Sequence, residues 1–307
     1  MRIVYLGSST TSKEILNHLI DKNYTIVLVV TQPDKKGGRG NKLLPTPVKL
    51  LSIEKKIPVL TPEDPNSNDT IKEISRYNPE LFFLCAYAKL LRKDLLNLPD
   101  KGAVNLHFSL LPELRGAAPI QRAIMKGLKR TGVTTFFMNE SLDKGDIILQ
   151  KSLQIKDFET AGELEKRLIE LAKEVATRTI ETISKGSVKT IKQDENKKSY
   201  AKKILKEERK IDWSWIASDI VKKINGLSPK PGSFTHFKGK RIILLKSKIG
   251  DTMVGKPGTI VLRNGLEVVA GDKKTVIIEL LKPEGKKVIT AQDFINGFRI
   301  KDGETFI

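Results

Sequence analysis

Cysteine and histidine are scarce in this sequence, and that limits the kinds of site it can build. Cys85 is the only cysteine, and there are 3 histidines in 307 residues. One thiol cannot form an internal disulfide, and the histidines lack the paired spacing of zinc ligands. We therefore expect no disulfide and no metal ion, as suits a protein of the reducing cytoplasm.

Long apolar runs are also missing. The longest covers residues 81–88, far fewer than the roughly 20 residues that a membrane helix needs. The short apolar stretch at residues 3–6 leads directly into polar residues 8–13, so the start of the chain lacks the apolar core of a secretory signal. These absences predict a cytoplasmic protein that does not bind a membrane.

The glycines do not form a nucleotide-binding fingerprint. Gly37, Gly38 and Gly40 are not followed by the Gly-Lys-Ser/Thr ending of a phosphate-binding loop. Gly7 follows the first apolar stretch but begins no GxGxxG pattern. Because these patterns place backbone amides around phosphates, their absence argues against an NTPase and against a nicotinamide cofactor.

Acidic residues are few beside the basic ones. The chain has 55 Lys and Arg against 36 Asp and Glu, a formal net charge of +19. Such an excess favours polyanion binding through counterion release. A generally lysine-rich, solvated surface would give the same composition, so charge alone leaves both interpretations open.

Apolar periodicity predicts an α/β fold. Short strand-like and helical segments alternate over residues 1–155, which is typical of a mostly parallel, Rossmann-like sheet covered by helices. Five short strand-like segments follow near the end, which fits a small OB-like β-barrel. The predicted domains are 1–185, Rossmann-like and catalytic; 186–205, a basic linker; and 206–307, the OB-like barrel.

Three polar residues could form a site for acyl transfer. Asn105 and His107 are two apart at the end of a predicted strand, so their side chains should share a face. Asp143, in a later loop, could join them. An amide suits a developing oxyanion, and histidine with a carboxylate can manage the protons of an amine. Local turn and cap hydrogen bonding is the alternative interpretation of this trio.

The sequence motifs around these three residues are more specific than the residues themselves. They include NLHFSLLP at 105–112, RGAAPIQ at 115–121 and LDKGDI at 142–147. TQPD at 31–34, GRG at 38–40 and LPTPVK at 44–49 extend the pattern towards the start, and IDW at 211–213 and TAQDF at 290–294 extend it towards the end. Over essentially its whole length, the chain resembles the methionyl-tRNA formyltransferases.

This resemblance implies a reaction. Family members transfer the formyl group of 10-formyltetrahydrofolate to the α-amino group of methionyl-initiator tRNA, in support of translation initiation. Asn105, His107 and Asp143 match the family's catalytic positions. We expect the first two to stabilise the oxyanion, and Asp143 to orient His107 and assist proton loss. The folate-lining stretch of the family matches Ser109, Leu110, Leu111 and Pro112.

The resemblance also implies a tRNA contact. The segment 33–49 is rich in glycine and basic residues and is long for a strand-to-helix connection. In the family the matching loop contacts the tRNA acceptor stem. The implied tRNA-binding residues are Lys35, Lys36, Arg39 and Lys42. We expect a monomer whose partners are methionyl-initiator tRNA and the folate co-substrate.

Two alternatives and two departures stay open. The chain could formylate another amine, such as glycinamide ribonucleotide or a sugar nucleotide, or it could bind tRNA without catalysis. Family members commonly have Gly-Thr-Pro-x-Phe after the first strand, where this chain has GSSTT at 7–11. Beside the folate pocket they have Ala-Tyr-Gly, where this chain has Ala88 in place of the glycine.

Overall fold

The structure is a computed structural model that describes residues 1–37 and 42–307. Arg39, one of the predicted tRNA-binding residues, lies outside the described residues. The chain divides into two compact units, and residues 186–201 of the predicted linker fall within the first of them. The first unit comprises Met1–Ala117, Gly132–Leu153 and Arg167–Ala201, and the second comprises Ala118–Thr131, Gln154–Lys166 and Lys202–Ile307.

Strands and helices follow one another in the order that the apolar pattern predicts, with a few additions. The strands are β1 Ile3–Gly7, β2 Ile26–Val30, β3 Lys35–Gly37, β4 Lys42–Leu44, β5 Val59–Leu60, β6 Leu81–Cys85, β7 Ala103–His107, β8 Arg130–Phe137, β9 Ile147–Gln154, β10 Ser233–Phe237, β11 Lys240–Thr252, β12 Ile260–Val261, β13 Leu266–Val269, β14 Lys274–Pro283 and β15 Ile289–Thr290. The helices are α1 Thr10–Asp21, α2 Pro47–Glu54, α3 Asn68–Ser75, α4 Lys93–Leu96, α5 Pro119–Met125, α6 Ala161–Ser184, α7 Ala217–Leu227 and α8 Ala291–Phe298.

A seven-stranded sheet forms the centre of the first unit. Its strand order is β5-β2-β1-β6-β7-β8-β9. The first five strands of this order pair in parallel, and β7 pairs with β8 antiparallel. Strands β1 and β6 are buried at all five positions, because a parallel sheet is covered on both faces. The predicted Rossmann-like, mostly parallel sheet is confirmed.

Serine side chains close the turn after β1, where the sequence departs from the family. Ser9 caps α1 by accepting a hydrogen bond from the Ser12 amide at 3.0 Å. Ser8 Oγ accepts from the amide of Gln32 at 3.1 Å. A Cβ at Gly7 would lie 1.8 Å from Ser12 Oγ and 2.8 Å from the backbone oxygen of Cys85, so this position requires glycine. Hydrogen bonds therefore fix this turn without the family's proline.

Cys85 ends strand β6 in the interior of the first unit. Its side chain is fully buried, and burial raises the pKa of the thiol to about 12. A thiol in such surroundings stays protonated and is shielded from reagents. Cys85 therefore contributes to packing and not to chemistry.

The second unit contains an antiparallel sheet. Its strand order is β10-β11-β14-β13-β12, with β15 paired to β14, and irregularities in β11 bend the sheet. Aromatic rings fill its core: Trp213 and Phe237 lie 5.9 and 5.7 Å from Phe306, and Phe294 lies 5.8 Å from Phe237. This curled sheet confirms the predicted small barrel-like domain after the parallel one.

In the part of the chain that the structure describes, no helix combines the length and the apolar composition needed to cross a membrane.

Candidate active site

Asn105 and His107 lie at the carboxyl end of β7. Asn105 is opposite Leu84 on β6, and His107 is opposite Thr134 on β8. Because side chains alternate along a strand, the two polar residues point to the same face. This edge, where parallel strands end, is where α/β sheets commonly bind ligands. Asp143 approaches from the loop between β8 and β9.

A backbone carbonyl orients the ring of His107. The side chain is 7% exposed, and its Nε2 lies 3.0 Å from Leu114 O. Because a carbonyl can only accept, Nε2 carries the hydrogen, and Nδ1 of the neutral ring is bare. Nδ1 lies 3.8 Å from Asp143 Oδ2. Leu114 therefore fixes the neutral ring, and Asp143 forms an ion pair only with the protonated one.

The Asp143 carboxylate is held by a backbone amide. Its Oδ2 accepts a hydrogen bond of 2.8 Å from the amide of Gly116, and the side chain is 10% exposed. Gly116 itself has φ +120°, and a Cβ there would lie 2.9 Å from Ala201 O, so only glycine fits. Within residues 1–37 and 42–307, Oδ1 accepts no hydrogen bond. One oxygen is thus fixed, and the other is available to a substrate.

The Asn105 carboxamide is half-buried. Within the described residues no side-chain hydrogen bond engages it. An amide at this exposure is open to solvent, so it can exchange water for a ligand without leaving a buried donor unpaired. A solvent-accessible donor on the same face as His107 suits an oxygen atom that arrives with a ligand.

The four residues matched to the folate stretch differ in exposure. Ser109 and Leu111 are buried, whereas Leu110 and Pro112 are half-buried. The Leu110 side chain packs where Gly132 leaves space, since a Cβ at Gly132 would lie 2.5 Å from Leu110 Cδ2. Leu110 and Pro112 thus present the larger surface to a ligand.

Two residues outside the predicted site anchor this stretch. Thr134 Oγ1 donates to Ser109 O at 2.6 Å and accepts from the Leu111 amide at 3.2 Å. Gln150 Nε2 donates to Leu111 O at 2.7 Å. Sequence reasoning missed Thr134 and Gln150. No local signal distinguishes them, because β8 and β9 each contain several other polar residues.

Arg115 lies at the centre of a buried polar network. Its side chain is 0% exposed, and its Nη2 is 2.8 Å from Glu195 and 2.7 Å from Gln193 Oε1. The hydrogen bond from Arg115 lowers the pKa of the Glu195 carboxyl to about 2, so the pair is fully charged at neutral pH. A charge without a partner would be costly at this depth, so segment 191–201 forms part of the site's support.

The basic segment between β2 and α2 contains a small sheet that the sequence did not predict. Strands β3 and β4 pair antiparallel, with Lys36 opposite Leu43 and Gly37 opposite Lys42. Lys35, Lys36 and Lys42 are all exposed. Since directly opposed residues share a side, Lys35 and Lys42 lie on one face of the hairpin and Lys36 on the other.

The backbone is left-handed at the position where Ala88 replaces the family's glycine. Ala86 has φ +49° and Ala88 has φ +60°, and both are exposed. Left-handed backbone costs a non-glycine residue roughly 1–2 kcal/mol. Where the family has glycine, the chain therefore carries local strain at Ala88.

Replacing Ala88 with glycine should stabilise the protein. The expected gain is about 0.5–1 kcal/mol in the free energy of unfolding, because relief of the left-handed strain exceeds the entropic cost of glycine. Urea denaturation measures it. The exposed Ala117, which has no positive φ, provides the control, and Ala117→Gly should be neutral or destabilising. A lower midpoint for Ala88→Gly than for the natural chain would contradict the strain.

Metal ligands do not gather at this site. No group of three or more His, Cys, Asp or Glu side chains in the described ranges is arranged to hold a metal ion.

Sequence families define the class of this protein. The formyl transferase model matches residues 1–180, and the model of the formyl transferase C-terminal domain matches residues 203–299. The chain therefore belongs to the formyl transferase family, and it is an enzyme of formyl transfer by that membership.

Full-length relatives are more specific than the family. A methionyl-tRNA formyltransferase of Carboxydothermus hydrogenoformans is 40% identical, over 100% of this chain and 99% of its own length. One from Thermotoga neapolitana is 39% identical, over 99% and 97%. The resemblance seen in the motifs is confirmed.

Solved structures share the fold at low identity. HypX from Aquifex aeolicus in complex with tetrahydrofolic acid has a TM-score of 0.69 and 18% identity, covering 99% of this chain and 48% of that one. The sugar 3N-formyl transferase WlaRD has a TM-score of 0.68 and 19% identity, covering 94% and 99%. At such identities the likeness concerns the fold alone.

Proposed function

We propose that this enzyme transfers the formyl group of 10-formyltetrahydrofolate to the α-amino group of methionyl-initiator tRNA and so supports translation initiation. The observation that carries the proposal is full-length similarity, 40% identical over 100% of the chain, to a methionyl-tRNA formyltransferase. The sugar 3N-formyl transferase WlaRD spans nearly the whole chain at only 19% identity, so the similarity favours the tRNA acceptor over a sugar nucleotide.

The residues at the end of β7 fit a formyl donor. Asn105 offers an amide without a partner among the described residues, and the half-buried Leu110 and Pro112 lie close to it in the chain. A planar, partly apolar group with polar edges matches such a lining. When bound, 10-formyltetrahydrofolate would supply the formyl carbon that the amine attacks.

In this proposal, Asn105 and His107 stabilise the negative charge that develops on the formyl oxygen. The Asn105 amide donates to the formyl oxygen as that oxygen gains negative charge. His107 Nε2 is engaged by Leu114 O, so the ring donates to a substrate only through Nδ1, and only when it is protonated. The Asn105 donor serves in either protonation state.

Asp143 manages protons in this proposal. Its Oδ2 is held by Gly116, which leaves Oδ1 to accept a proton from the attacking amine, directly or through water. The new N–C bond forms as the bond between the formyl carbon and the folate nitrogen breaks. The proton held at Asp143 is then returned to that departing nitrogen.

The tRNA side of the proposal rests on exposed charge. Lys35, Lys36 and Lys42 extend from the β3–β4 hairpin, and Arg39 belongs to the same segment. We assign catalysis to residues 1–185, and sequence-tolerant phosphate contacts to the linker at 186–205 and the barrel at 206–307. The protein would work as a monomer in the cytoplasm, where its tRNA substrate is found.

One assay tests the acceptor. The enzyme is incubated with 10-formyltetrahydrofolate and, separately, with methionyl-initiator tRNA, methionyl-elongator tRNA, glycinamide ribonucleotide and an amino-sugar nucleotide. Formylated product should form with the initiator tRNA alone. Product with a small amine in place of tRNA would identify the other-amine enzyme. tRNA binding without product from any acceptor would indicate a protein that has lost catalysis.

A further inference from the structure

Gln193 is a half-buried residue within a run of exposed ones. Residues 194–198 are exposed on one side of it, and residues 191 and 192 on the other. Its Nε2 donates to Asp143 O at 2.9 Å and to Gly145 O at 2.8 Å. One side-chain amide thus holds the backbone of the Asp143 loop at two points.

The buried guanidinium of Arg115 fixes the orientation of this amide. Gln193 Oε1 accepts from Arg115 Nη2 at 2.7 Å and from Nε at 3.1 Å. A guanidinium has no acceptor, and a carbonyl has no donor. Only one orientation of the Gln193 amide therefore satisfies all four hydrogen bonds, with Nε2 towards the Asp143 loop.

The Asp143 loop needs such support because its conformation is unfavourable. Asp143 has φ +51°, a left-handed conformation that aspartate adopts more readily than most residues but still at a cost. Gly145 packs so closely that a Cβ would lie 1.5 Å from Phe137 O. Strained backbone persists where the surroundings over-determine it, and the two bonds from Gln193 have that effect.

The same segment also holds the loop that orients His107. Ser199 Oγ accepts from the Leu114 amide at 2.9 Å, and Ser199 O accepts from the Arg115 amide at 2.9 Å. Leu114 O is the acceptor for His107 Nε2. Segment 191–201 therefore contacts both loops that set the His107 and Asp143 side chains.

We propose that Gln193 is a positioning residue, which holds the Asp143 loop so that one carboxylate oxygen stays on the Gly116 amide and the other faces the substrate. The predicted effect of Gln193 on catalysis rests on the proposed function. The predicted effect of Gln193 on the conformation of the Asp143 loop is independent of that function. Because Gln193 acts through Asp143, its loss should reduce turnover and leave substrate binding largely intact.

Two variants test the proposal. Gln193→Met keeps the side-chain size and removes all four hydrogen bonds. Gln193→Glu keeps the bonds from the buried Arg115, which favours folding, and replaces the two donors with a carboxylate that repels the carbonyls. Both should lower kcat by about 10- to 100-fold, with KM for methionyl-tRNA and for the formyl donor within twofold of the natural enzyme.

Hydrogen exchange provides a readout independent of activity. The Gly116 amide is bonded to Asp143 Oδ2, so its exchange should quicken in both variants while the amides of β7 stay protected. Asn17→Leu is the matched control: Asn17 is a half-buried carboxamide on α1, bonded to Asp21 at 2.8 Å. It should change neither kcat nor Gly116 exchange.

Three results would overturn the proposal: kcat within twofold of the natural enzyme in Gln193→Glu, unchanged Gly116 exchange, or a rise in KM that accounts for the lost activity. If the natural enzyme formylates none of the tested acceptors, the proposed function fails. Gly116 exchange then still decides whether Gln193 holds Asp143.

Discussion

Replacing Asn105 with alanine should reduce kcat for formyl transfer by about 100- to 1000-fold, the usual cost of one lost oxyanion donor. The folded state should hardly change, because the Asn105 amide is half-buried and has no hydrogen-bond partner among the described residues. Methionyl-tRNA affinity should also stay near its natural value. Single-turnover kinetics with saturating substrates isolate the chemical step from binding.

His107→Ala should impair turnover to a similar degree but with a different stability signature. His107 donates to the buried Leu114 carbonyl, and an unmet buried acceptor costs about 1–3 kcal/mol. The thermal midpoint should therefore fall for His107→Ala and stay constant for Asn105→Ala. Near-normal turnover in either variant would remove that residue from the proposed mechanism.

Neutralising the basic segment between β2 and α2 should weaken tRNA binding and its response to salt. Changing Lys35, Lys36, Arg39 and Lys42 to glutamine removes four charges. If each contacts a phosphate, the slope of log Kd against log salt should fall by about one per charge. Titration with methionyl-initiator tRNA at several salt concentrations measures the slope, and kcat at saturating tRNA should change little.

The hairpin geometry allows a sharper version of this experiment. Lys35 and Lys42 share one face, and Lys36 lies on the other. Comparing Lys35→Gln/Lys42→Gln with Lys36→Gln identifies the face that meets tRNA. Lys72→Gln/Lys93→Gln removes two equally exposed charges from α3 and α4 and serves as the control. A slope that changes no more in the hairpin variants than in this control would refute the assignment.

The sheet of the first unit was predictable because the apolar pattern of each strand involves only consecutive residues. Strands β1 and β6 read as uninterrupted apolar runs between polar segments, and such runs are typical of parallel strands buried on both faces. The same-face placement of Asn105 and His107 follows from strand alternation alone. Both features depend on residues that are adjacent in the sequence, so they can be predicted from the sequence.

Other elements were missed for two different reasons. The β3–β4 hairpin is exposed and basic, so no apolar alternation marks it. Helix α8 did have a signal: Thr290 and Asp293 form a capping box at its start, a pattern that sequence alone can suggest. The TAQDF motif at 290–294 therefore marks a helix start as well as the family resemblance.

The supporting contacts of the site lay beyond sequence reasoning. Leu114 O meets His107 through a loop that turns back over seven residues, and the Gln193 amide meets Asp143 from 50 residues away. Gln193 lies in a polar, charged stretch that composition marks as solvated. Its half-burial, which sets it apart, depends on Arg115, 78 residues away in the sequence.

Segment 191–201 also bears on how this enzyme can be dissected. The first family match ends at residue 180 and the second begins at residue 203, so a fragment trimmed to the first match would omit both Gln193 and Ser199. It would retain Asn105, His107 and Asp143 but lose the partners of Asp143 O and of the Leu114 amide. A fragment that keeps these supporting contacts must therefore extend to Ala201, beyond residue 180, where the first family match ends.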